Sequence, residues 1–195
     1  MAEKKKFFDV ELELINEKVR LLAFTIEQLN KKTIKLDLTR MLKGKSLEAV
    51  FQIIAENGKA AGYMKKISLF PFFIRRMMRK SVSYVEDSFT LECLDVFLRM
   101  KIFLITRKKV TRAVRKALRE EARKYLQDYG KDKSKNDIFM DIINNRIQKS
   151  LSLKLKKIYP LALCEIRQVY VEKEKPKVEV EKIEEKQENK EEKKE

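Results

Sequence analysis

The chain has 195 residues, 44% of them apolar, enough to bury a core; its formal net charge of +16 and pI near 9.7 point to nucleic acid, an anionic membrane surface or another acidic partner. It has no histidine, four glycines, and two cysteines, Cys93 and Cys164, that form no CxxC pair. Cys/His zinc sites, imidazole mechanisms, P-loops and dinucleotide fingerprints are thereby excluded, and no carboxylate pair stands in an apolar context suited to acid–base work, so no enzyme, cofactor or metal is expected.

From the amino terminus, Phe8, Val10, Leu12 and Leu14 alternate with polar residues, the spacing of a half-buried strand. Val19 to Thr25 and Thr33 to Leu38 continue as short β segments, broken by Asn30, Lys31 and Lys32. A basic loop follows, with Arg40, Lys43 and Lys45 around Gly44. Two β-prone runs between residues 47 and 69 flank Asn57-Gly58, a pair suited to the positive φ of a tight type I′ turn, and read as a hairpin.

Pro71 is placed to open a short helix. Its wheel sets Phe73, Ile74, Met77 and Met78 against Arg75, Arg76 and Arg79, with Lys80 at the margin. Residues 81–106 return to β character, with Val82, Tyr84, Phe89 and Leu91 followed by Val96, Leu98, Ile102, Leu104 and Ile105, a long hairpin turning near Glu92 to Asp95.

The run RKKVTRAVRKALREEARK, Arg107 to Lys124, then places nine bases against Glu120 and Glu121. On a helical wheel Arg112, Arg115, Lys116, Arg119 and Arg123 share one side, and Val114, Ala117, Leu118, Tyr125 and Tyr129 lie roughly opposite. An almost single-signed face costs repulsion between i and i+4 neighbours, which an anion would relieve.

Gly130 reads as the stop of this helix. Ser134 and Asp137 read as the N-cap arrangement of another, carrying Ile138, Phe139, Ile142 and Ile143. Ile147, Leu151, Leu155 and Ile158 recur at helical spacing until Pro160, with Lys154, Lys156 and Lys157 facing elsewhere, and a last strand spans Leu161 to Val171. From Glu172 onward, eight lysines and ten glutamates with few apolar residues read as a disordered or transiently helical tail. Taking these from the chain's 46 bases and 30 acids leaves 38 against 20, so residues 1–171 carry +18.

Strands followed by helices make an α+β chain: one domain over 1–171, β-rich in 6–69, a helix and long hairpin in 71–106, helices and the final strand in 107–171, then the charged tail 172–195. With no apolar run of signal-peptide or membrane-spanning length, it is expected to be soluble and cytoplasmic, with two buried, reduced cysteines and no membrane or small-molecule partner. Three Arg-weighted clusters favour nucleic acid, because a guanidinium bridges phosphate oxygens and stacks on bases where an ammonium acts as a point charge. Without a helix-turn-helix, zinc finger or basic zipper, shape and backbone readout are expected. Tyr63, Phe72 and Tyr84 could stack on bases, but aromatic residues at such spacings are more often core.

From Phe70 to Val171 the segments FFIRRMMRKSVSYVEDSF, FLITRKKVTRAVRKALRE and LSLKLKKIYPLALCEIR, with DLTRMLKGKSLEA at Asp37 to Ala49, resemble the archaeal and eukaryotic small-ribosomal-subunit protein family called eS-one or S-three-Ae, in an archaeal form. The resemblance implies a β-barrel-like antiparallel sheet domain with packed basic helices. It also implies a structural constituent of the ribosome on the small-subunit platform, near the mRNA exit and the 3′ end of the rRNA, touching rRNA and neighbouring platform proteins. By segment, the implied rRNA contacts are Arg75, Arg76, Arg79, Lys80, Arg107, Lys108, Lys109, Arg112, Arg115, Lys116 and Arg119; the charge pattern selects these independently and adds Arg40, Lys43, Lys45 and Arg123. The chain departs from the family in its short basic start, Lys4 to Lys6, and in SLFPFFIRR, which replaces a segment bearing glycine and histidine. The alternative is an extraribosomal translation or assembly factor that binds RNA or acidic proteins.

Overall fold

Among the described residues, period-two and period-3.6 patterning are realised as eight strands and four α-helices in an open, antiparallel-dominated α+β arrangement. A computed structural model describes residues 4–15, 17–40, 42, 45–56 and 59–175, the side chain of Glu56 excepted. The chain divides into two compact units, Met1–Met77 and Met78–Glu195.

In the first unit, β1 (Lys6–Leu12) pairs antiparallel with β2 (Glu17–Ala23), and β3 (Thr33–Asp37) with β4 (Leu47–Glu56). β4 forms the expected hairpin with β5 (Lys59–Leu69), and β1 runs parallel to β5 over three residue pairs, Val10 to Leu12. The Asn57-Gly58 turn lies outside the described residues. The core side of these strands holds Val10, Leu12, Phe51, Ile53, Met64 and Ile67. A Cβ on Gly62 would stand 2.6 Å from Leu12 Cδ2, so its missing side chain lets β1 approach β5.

β1 stops two residues before Leu14, which sits in a turn at φ 73° rather than in the strand. α1 (Pro71–Met77) starts at the proline as expected and buries Phe73 and Ile74. It ends at Met77, so Met78, exposed, and Arg79 are not on the helical wheel.

In the second unit, β6 (Tyr84–Glu92) and β7 (Val96–Thr106) form the long hairpin, and β8 (Leu161–Glu174) pairs antiparallel with β7. β8 outruns the expected Val171 because its ladder with β7 continues to Glu174 opposite Val96; Arg99 on β7 also holds Glu172 at 3.0 Å and Thr90 donates to it at 3.2 Å. α2 (Arg112–Gly130) packs on β6 and on α4 (Arg146–Leu155), while α4 packs on β8 and on α3 (Lys135–Ile143). Leu118, Ala122 and Leu126 of α2, Ile138, Phe139 and Ile142 of α3, and Ile147, Leu151 and Leu155 of α4 are all buried in the core of this unit.

The Ser134 capping box is complete, Asp137 N–H donating to Ser134 Oγ and Ser134 N–H to the Asp137 carboxylate. Gly130, in contrast, does not stop α2 from outside. It is the last helical residue and is buried, and a Cβ there would lie 2.6 Å from Leu91, so glycine is required for close helix–strand approach. α4 ends at Leu155, leaving Ile158 40% exposed rather than on the apolar stripe. Cys93 is buried but Cys164 is half-buried, and neither joins a disulfide among the described residues.

α2 and α3 are tied by one buried carboxylate. Asp141 accepts from Tyr129 Oη at 2.7 Å and from Lys133 Nζ, with Arg146 at 3.5 Å. Burial pushes its carboxyl up, but the bonds from Lys133 and Tyr129 outweigh this and hold it below the usual range. A depressed folded-state value means the stabilisation is complete above the unfolded value, about 3.9, and is lost as pH falls through the folded one. Asp141→Asn should therefore cost about 1–3 kcal/mol near neutral pH in urea denaturation, and the gap to the parent should close below about pH 4.

Candidate nucleic-acid interface

Three bonds pin the chain entering β6 to the chain leaving β7. Ser83 N–H donates to Thr106 Oγ1 at 3.1 Å, Thr106 N–H donates to Ser83 O at 2.9 Å, and Val110 N–H donates to Ser83 Oγ at 3.2 Å. Thr106 Oγ1 also lies 2.7 Å from Lys108 O, within donating distance, and Thr106 is fully buried. This knot fixes the exposed run Arg107, Lys108, Lys109 and the start of α2 beside Tyr84. Arg79 and Lys80 join the same neighbourhood, since Lys80 is three residues from Ser83, a chain reach of about 10 Å.

The polar side of α2 is as the wheel sets it. Arg112, Arg115, Lys116, Arg119 and Arg123 line a groove of 760 Å³ together with Tyr84. Arg112, Arg115 and Arg119 are exposed and have no ion-pair partner among the described residues. Thr111 caps the helix by φ/ψ alone, without a side-chain bond, and the first turn carries no acid. The unpaired N–H groups of that turn therefore add positive potential to the groove.

Two of the five bases are engaged. Lys116 lies 3.7 Å from Glu120, both well exposed. Arg123 forks onto Asp87 of β6, Nε to Oδ2 at 3.0 Å and NH2 to Oδ1 at 2.9 Å, with its guanidinium 5.8 Å from the Phe89 ring. Arg123 thus fastens α2 to the sheet. Arg123→Ala should cost about 1–3 kcal/mol of stability, since it leaves the Asp87 carboxylate, only 10% exposed, without its partner, whereas Arg119→Ala should cost none; parallel thermal melts of the two variants check this.

The other clusters are more dispersed. Arg75 and Arg76 lie exposed on the last turn of α1, with Arg76 5.7 Å from the Phe73 ring. Arg40 is exposed beside Asp37, whose carboxyl is held low by hydrogen bonds from Thr39 and further by the Arg40 charge. Lys45 is half-buried, and Lys43 lies outside the described residues.

Tyr84, one of the aromatic residues weighed as core or base-stacking, is 56% exposed, with Ser83 and Val85 on either side in sequence. Strand parity is the signal: Val85, Phe89 and Leu91 are buried, and Tyr84 is out of step with them. The Ser83–Thr106 knot has no comparable signal, since it joins residues 23 apart. No group of three metal-ligating side chains occurs among the described residues, and none of their helices is long and apolar enough to cross a membrane.

Comparison with known proteins agrees with the family resemblance. Residues 2–175 match the model of the Ribosomal S3Ae family. The small ribosomal subunit protein eS1 of Nanoarchaeum equitans (strain Kin4-M) is 27% identical over 155 residues, covering 77% of this chain and 78% of the relative.

Proposed function

The chain belongs to the Ribosomal S3Ae family, a family of ribosomal proteins and not of enzymes, and from that premise we propose that it is a structural constituent of the small ribosomal subunit, held there by rRNA. The observation that carries the rRNA part is the α2 face: Arg112, Arg115 and Arg119 exposed, unpaired among the described residues and gathered along one groove. Such a face neutralises phosphates and contributes affinity that falls steeply with salt. Arg107, Lys108 and Lys109 extend it, and Arg75, Arg76, Arg79, Lys80, Arg40, Lys43 and Lys45 supply further contacts.

The proposed position is the platform near the mRNA exit, as the family resemblance implies. Its protein neighbours there would cover apolar surface. In the first unit Phe7, 72% exposed, stands opposite Leu22, 48% exposed, across β1 and β2, next to a groove lined by Ile26 and Ile54. This apolar pair, beside a groove that also carries Asp9, Glu11 and Lys59, fits a protein interface rather than RNA.

Sucrose-gradient fractionation of a native lysate tests the proposal. The chain should travel with the small subunit and resist a moderate-salt wash. Recovery solely in ribosome-free fractions at every salt would overturn it and favour an extraribosomal factor.

A further inference from the structure

Resting on the rRNA reading above, we infer that Tyr84 is a stacking platform for an unpaired RNA base whose flanking phosphates lie on Arg112, Arg115 and Arg119. The ring is exposed, but it is not loose. It stacks on the fully buried Phe103, with centroids 6.5 Å apart and planes 28° apart, and the next residue, Val85, is buried. On its other side the backbone is fixed by the bonds between Ser83 and Thr106. A ring already held in this way gives up little rotamer freedom when a base covers it.

Its surroundings select the ligand. The groove that Tyr84 shares with α2 carries five bases against one acid, Glu120. An apolar peptide would leave those guanidinium groups desolvated and unpaired, at a cost that a nucleotide avoids by presenting phosphate and a π-face together. A regular duplex keeps its bases stacked on each other and offers only backbone, so Tyr84 would gain nothing from it. The site therefore takes a single-stranded, looped or bulged nucleotide, with little preference among bases because stacking is tolerant of sequence.

The test uses the full chain, a short oligouridylate, and an RNA duplex with the same number of phosphates. Tyr84→Leu should weaken the single strand on the order of 10-fold or more and leave the duplex unchanged. Its plot of log affinity against log salt should keep the parent slope, since stacking releases no counterions. Tyr84→Phe should retain parent affinity. Arg115→Ala should weaken both RNAs and reduce the single-strand slope by about 0.7. Independently of any variant, oligouridylate carrying 5-iodouridine should photocrosslink to Tyr84 in the parent chain.

Parent-like binding of the single strand by Tyr84→Leu, an equal loss on both RNAs, or iodouridine adducts solely at other residues would each overturn the inference. If Tyr84→Leu binds as the parent does while Arg115→Ala still weakens binding, the stacking site falls and the rRNA reading stands. If the parent binds neither RNA, both fall.

Discussion

Replacing Arg112, Arg115 and Arg119 together by glutamate is expected to lower affinity for small-subunit rRNA on the order of 1,000-fold while leaving thermal stability unchanged or slightly higher. The three side chains are exposed and without ion-pair partners among the described residues, so no native contact is broken. Each phosphate contact by a charged group contributes about 1.5 kcal/mol or more, and three lost together give the stated factor. Stability is spared because the substitutions turn like-charged i, i+4 neighbours, Arg112 with Lys116 and Arg119 with Arg123, into opposite-charged ones. Filter binding at several salt concentrations, with melting followed by circular dichroism, reads both quantities. Unchanged affinity would remove α2 from the RNA interface.

Leu118→Ala reports on the other side of the same helix. Leu118 has no exposed surface, and it begins the buried stripe that continues through Ala122 and Leu126 where α2 meets β6 and α4. The truncation should cost about 2–5 kcal/mol through lost transfer energy and an unfilled cavity. For a chain of this size that lowers the melting midpoint by roughly 5–15 °C. RNA affinity of the folded fraction should be unchanged at a temperature well below the new midpoint. A loss smaller than about 1 kcal/mol would show that the site relaxes around the cavity far more than buried leucine sites do.

What was legible in the sequence follows from what is local. Alternating residues place β1, β-prone runs place the β4–β5 hairpin around Asn57-Gly58 and the β6–β7 hairpin, and Ser134 with Asp137 announces the start of α3, because a capping box is complete within four residues. The basic and apolar sides of α2 are likewise set by one helical period, and Arg112, Arg115 and Arg119 lie where the wheel puts them. Nonlocal partners are not legible. Arg123 looks identical to Arg119 in sequence, yet Asp87, 36 residues away, makes it a fastener of the fold. Gly130 resembles a helix stop, but its missing side chain makes room for Leu91, which a Cβ there would meet at 2.6 Å. Met78 and Ile158 extend apolar patterns past the points where α1 and α4 end, because periodicity alone does not mark a terminus.

The most direct measurement is ultraviolet crosslinking of native small subunits followed by mass spectrometry of this chain. RNA adducts should fall within residues 107–124, on peptides carrying the exposed arginines of α2. Adducts confined to other segments, with the α2 face crosslinking to protein neighbours instead, would contradict the assignment of that face to rRNA.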